Sequence, residues 1–88
     1  MDRNRLADEI KQLMIRELDL RSKTPADIGD DQQLFGGGLS LDSLDALQLA
    51  VALEERFGVK IPEGDEAKSV FASVSAIAQY ILSAQAEQ

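Results

Sequence analysis

Apolar residues recur every three or four positions in three separate stretches of this 88-residue chain, and nowhere do they alternate one by one with polar residues. A period near 3.6 belongs to amphipathic helices, whereas a half-buried strand requires a period of two, so the pattern directs the chain to an all-α fold. Leu6, Ile10, Leu13, Met14 and Leu18 form one stripe and predict a helix over 3–18, with Asp8, Lys11 and Glu17 toward solvent. The stretch 42–57 holds no Gly, Pro or Thr and is the strongest helix; Gly58 follows as a left-handed cap, and Val59-Lys60-Ile61-Pro62 leaves in an extended conformation. On it Ala46, Leu49, Ala50, Leu53 and Phe57 gather on one side, and Leu44, Leu47 and Val51 form a second apolar strip. Asp45, Gln48 and Glu55 make the polar face. Residues 65–72 read as a short third helix. Ser73 then caps a fourth, in which Val74, Ile77, Ala78, Ile81 and Leu82 repeat at helical spacing. The expectation is one domain over 1–88, a small four-helix bundle with three long helices and one short, whose first, second and fourth helices share the core.

The connection between the first two helices, 19–42, far exceeds the usual length of about 4 to 6 residues, and such loops tend to pack through their own side chains or to carry function. Thr24-Pro25-Ala26-Asp27 reads as a single-turn start with Thr24 as cap and Pro25 at the first helical position. Ile28, Leu34, Phe35, Leu39 and Leu41 are suited to packing the loop. Gly36-Gly37-Gly38 gives three residues free to take positive φ, as a surface turn or as a hinge.

The side chains that the sequence lacks narrow the chemistry. There is no Cys, hence no disulfide, iron–sulfur cluster or thiolate nucleophile, and no His, the commonest metal ligand and the usual base near neutral pH. The net charge of −7 is uneven: residues 1–24 carry +1 and 25–88 carry −8. A polyanion such as nucleic acid would be repelled by the second part. No apolar run approaches the roughly 18 residues of a membrane span, so a monomer in the cytoplasm is the expectation. Asp27-Ile28-Gly29-Asp30-Asp31-Gln32 fails as a calcium loop because Gln stands where the sixth position needs Gly. A chain this small also has no room for a sugar cleft around paired carboxylates.

What remains is Leu41-Asp42-Ser43-Leu44-Asp45, a serine in the first turn of the best helix after a glycine-rich approach. Helix N-termini present unpaired N–H groups and about half a positive charge, which suits a phosphate esterified to that serine. On spacing alone a plainer reading stands ahead of it: Asp42 caps the helix, Asp45 complements its dipole, and Ser43 is an incidental surface residue.

The run Leu41-Asp42-Ser43-Leu44-Asp45-Ala46-Leu47-Gln48-Leu49, continued by Ala52-Leu53-Glu54-Glu55-Arg56-Phe57-Gly58-Val59-Lys60-Ile61-Pro62, closely resembles the acyl carrier protein family. The resemblance extends through Ser73-Val74 and Tyr80-Ile81 and back to the first helix. It implies a carrier without catalytic residues. Ser43, between Asp42 and Leu44, would receive 4'-phosphopantetheine from coenzyme A through a phosphopantetheinyl transferase, and acyl groups would ride as thioesters on the arm's thiol. It further implies docking to basic patches on acyl transferases, ketosynthases and other acyl-processing enzymes. Asp45, Leu47, Gln48, Val51, Glu55, Glu63, Asp65 and Glu66 are the docking residues, and Leu49, Leu53, Phe57, Ile61 and Ile77 are a cleft for the acyl chain.

Two departures bear on the pathway. Gln48 and Arg56 stand where members serving fatty acid synthesis commonly have Glu, and the stretch from Pro62 to Ser73 is about two residues longer than in the commonest members. Both favour a specialised lipid or polyketide-like pathway over housekeeping fatty acid synthesis. An aminoacyl or D-alanyl carrier and an unmodified acidic interaction module stand as alternatives. A hydrolase built on Ser43 lacks a base.

Overall fold

The computed structural model describes residues 2–20, 23–34, 43–62 and 65–86, and for Ser43 and Asp65 the backbone alone. Helix α1 spans Arg3–Glu17, α2 Ser43–Phe57, α3 Asp65–Val70 and α4 Val74–Ala86, and a single 3-10 turn spans Pro25–Asp27. Among the described residues there is no strand, as the missing period of two requires. The described residues form the expected helical bundle of three long helices and one short one. Phe35, Gly36, Gly37, Gly38, Leu39, Leu41 and Asp42, which the sequence singles out, lie outside the described residues, as does Glu63.

Asp2 starts α1 by accepting the Asn4 N–H at 3.3 Å. The helix buries Leu6, Ala7, Ile10, Leu13 and Met14. It ends where Asp19 takes a left-handed φ of 56°, a conformation a short polar side chain tolerates, and the Leu20 N–H reaches back to the Ile15 carbonyl at 3.0 Å. That stripe meets Leu49, Ala52 and Leu53 of α2 and Val74, Ile77, Ala78 and Ile81 of α4 in one core. Packing of α1 against both α2 and α4 gives the shared interior expected from the three apolar stripes.

The described part of the long connection packs through its own side chains, with Ile28 and Leu34 fully buried. Thr24 donates its backbone N–H at 2.8 Å and its hydroxyl at 3.0 Å to the Asp27 carboxylate, which closes the single turn and holds that carboxyl below its ordinary range. Beyond it, the Asp30 carbonyl accepts the Ser75 N–H at 2.8 Å and the Asp30 carboxylate pairs with Lys11, so the loop is tied to both α4 and α1.

Helix α3 ends at Val70, two residues short of the expected Ala72. The Ala72 N–H turns to the Ser69 carbonyl, three residues back, at 3.5 Å, and the Ala72 carbonyl accepts the Leu34 N–H at 3.3 Å. The chain is thereby turned out of the helix before Ser73, whose hydroxyl accepts the Ala76 N–H at 3.1 Å and caps α4.

Candidate functional site

Ser43 is the first residue of α2, a 15-residue helix with Asp45 in its first turn. The backbone N–H groups of that turn have no partner within the helix, and the aligned peptide dipoles concentrate partial positive charge there. A phosphate diester on a hydroxyl at this position would meet both, so the residues fit such a group in chemistry and in place.

The apolar strips of α2 divide by environment. Leu49, Ala52 and Leu53 are buried, whereas Leu44, Leu47 and Val51 are 75%, 63% and 48% exposed. Spaced at i, i+3 and i+7, these three share one side of the helix, and adjoining apolar surface of this kind marks a contact site more often than scattered single residues do. Glu54 and Glu55 on α2 and Glu66 on α3 are exposed. Asp45 is half-buried, and Asp65 opens α3.

Two residues of the expected docking set and its neighbourhood turn elsewhere. Gln48 donates its side-chain amide to the Glu17 carbonyl, one of the acceptors that the end of α1 leaves without a helical partner. Arg56 donates to Glu9 Oε1 of α1 at 3.1 Å, and its guanidinium sits 5.4 Å from the centroid of the Phe57 ring. Both departures from the family's acidic pattern therefore bind α1. Sequence reasoning missed this because it gives the faces of each helix but not which neighbour covers them.

Of the cleft residues, Leu49, Leu53, Ile61 and Ile77 are buried together in the core, and Phe57 is half-buried at its edge. In the exit after α2, Val59 and Ile61 are buried and Lys60 is exposed. Glu54 accepts the Ile61 N–H at 3.1 Å, and the Tyr80 hydroxyl donates to the Lys60 carbonyl at 2.5 Å. The role of Glu54 was not apparent from the sequence, since the contact depends on the reversal at Gly58, whose φ is +69°.

The helical bundle thus presents an exposed apolar strip after a serine at a helix start. Residues 8–81 match the family model described as the phosphopantetheine attachment site. The chain is 34% identical over 74 residues to the acyl carrier protein of Wolinella succinogenes, covering 84% of this chain and 90% of that one. It is 36% identical over 76 residues to that of Brachyspira hyodysenteriae, covering 86% and 91%, and 34% identical over 74 residues to that of Campylobacter fetus, covering 84% and 88%. The chain belongs to the phosphopantetheine-attachment family, as an acyl carrier protein. Its prosthetic group is a covalently attached phosphopantetheine, which supplies the thiol that a chain without Cys does not have. Among the described residues no helix is long and apolar enough to cross a membrane.

Proposed function

We propose that Ser43 bears 4'-phosphopantetheine and that residues 1–88 act as one carrier domain, ferrying acyl groups as thioesters between enzymes. The observation that carries this reading is the position of Ser43 at the first residue of α2, next to the exposed strip of Leu44, Leu47 and Val51. Attachment forms one phosphoester bond at the serine oxygen and breaks the pyrophosphate link of coenzyme A, releasing adenosine bisphosphate. The N-terminal turn of α2 stabilises the charge of the resulting diester. With neither His nor Cys in the chain, proton transfers and acyl attack belong to the partner enzymes.

Those partners dock on the α2 strip, with the carboxylates Asp45, Glu55, Glu63, Asp65 and Glu66 steering basic patches; such contacts favour fast arrival and ready departure. Leu49, Leu53, Phe57, Ile61 and Ile77 shelter the acyl chain between visits. The missing carboxylates at positions 48 and 56 support a specialised lipid or polyketide-like pathway. Incubation with a phosphopantetheinyl transferase and coenzyme A should add a single phosphopantetheine to the intact mass. Ser43→Ala should fold and gain nothing, and a mass increase that persists in that variant would overturn the assignment.

A further inference from the structure

The peptide unit joining Lys60 to Ile61 is gripped from two sides. Its carbonyl accepts the Tyr80 hydroxyl of α4, and its N–H donates to the Glu54 carboxylate of α2. The grip falls within segment 59–62, which follows α2 and is in neither helix nor strand. On its inner side Val59 and Ile61 are buried, and Ile61 packs in the same cluster as Leu53 and Ile77. A depression of about 460 Å³ adjoins the segment and is lined by Glu54, Lys60, Ile61, Pro62 and Tyr80. The segment follows a left-handed glycine, Gly58, whose N–H caps α2 by donating to the Glu54 carbonyl at 2.9 Å, and it ends at a proline.

We infer that segment 59–62 is a gate for the acyl chain, with Glu54 and Tyr80 as its latches: release of the 60–61 peptide lets Ile61 move into the adjoining depression and opens a path to Leu53 and Ile77. The inference rests on the reading that an acyl chain is sheltered in this core. Glu54 and Tyr80 are positioning residues, since they act through the backbone of the segment.

The test uses the full chain with Glu54→Ala, Glu54→Gln and Tyr80→Phe. In the unmodified protein, amide exchange at Ile61 should rise about tenfold or more in Glu54→Ala and in Tyr80→Phe, while the Leu53 and Ile81 amides keep their protection. Glu54→Gln, which retains an acceptor oxygen, should stay near the parent. Unchanged Ile61 exchange, or equal acceleration at Leu53 and Ile81, would overturn the latch. The same proteins are then loaded with an octanoyl arm from octanoyl coenzyme A. Shifts of the Leu53 and Ile77 methyl resonances on loading show the chain inside, and hydroxylamine should then cleave the thioester several-fold faster in Glu54→Ala and Tyr80→Phe. Methyl shifts with an unchanged cleavage rate would overturn the gate alone. Absent methyl shifts would overturn the sheltering and the gate with it, leaving the Ile61 exchange result as a property of the fold.

Discussion

Leu47 and Leu49 are two residues apart on one helix and identical in chemistry, yet one is mostly exposed and the other fully buried. Truncation should separate them. Leu49→Ala removes buried methyl groups and leaves a cavity, at a cost of about 2 to 5 kcal/mol. Leu47→Ala should change stability by no more than about 0.5 kcal/mol, while raising the Michaelis constant of the modifying transferase several-fold if the strip is the docking face. Equal losses of stability would show that the strip is covered. The helical period alone left both apolar strips of α2 open as core, because three or four residues per turn locate a face and not its neighbour; burial decides the matter. Asp27 offers a second residue-scale check. Thr24 depresses its pKa by a backbone and then a side-chain hydrogen bond, so the stabilisation of the turn is present above the unfolded pKa and lost as pH falls through the folded one. Its carboxyl should titrate below the ordinary carboxylate range by NMR, and an ordinary midpoint would mean the turn is not formed.

Between elements, side chains from one helix complete the open ends of another. Gln48 of α2 serves the last carbonyl of α1, and Gln85 of α4 donates to the Phe57 carbonyl at the end of α2 at 3.4 Å. Arg56 adds an ion pair to Glu9, whose second oxygen is buried with no hydrogen-bond partner among the described residues. These ties change what the family's carboxylates would do here. A Glu at position 48 would point negative charge at a carbonyl and at the negative end of the α1 dipole, and a Glu at position 56 would face Glu9. The sequence comparison alone suggests that restoring both acids strengthens docking. The structure adds a cost, since Arg56→Glu removes the partner of a largely buried carboxylate and places a like charge beside it. A loss of about 1 to 3 kcal/mol is expected, between the values for exposed and buried pairs. Glu9→Gln should recover most of it, and salt should lessen it. An Arg56→Glu protein as stable as the parent would mean that the Glu9 pair contributes nothing. The helix boundaries themselves were legible to within two residues, because caps such as Ser73 and Gly58 are local signals; the ties between helices were not, because they join residues 31 and 47 positions apart.

At the scale of the whole molecule, the core that holds the bundle together is also the place proposed to receive the acyl chain, so cargo and stability are coupled. Leu6, Ile10, Met14, Leu49, Leu53, Ile77 and Ile81 are sealed from solvent, and a chain that enters must part them and displace segment 59–62 with its buried Ile61. Opening that space costs contact energy, while each methylene taken out of water returns about 0.8 kcal/mol. For a six-carbon chain the return reaches about 4 kcal/mol, which leaves a net gain of about 1 to 2 kcal/mol if half or more offsets the parting of the core. In a domain of this size a gain of 1 kcal/mol raises the melting temperature by about 4 to 8 °C. The hexanoyl form should therefore melt about 4 to 15 °C above the form with a bare arm, and the octanoyl form higher still. Because the effect comes from apolar transfer rather than from charge, it should survive in high salt, unlike the loss on Arg56→Glu. Coincident melting of the bare and acylated forms, with unmoved methyl resonances at Leu53 and Ile77, would place the chain in solvent and leave the core with a purely structural role.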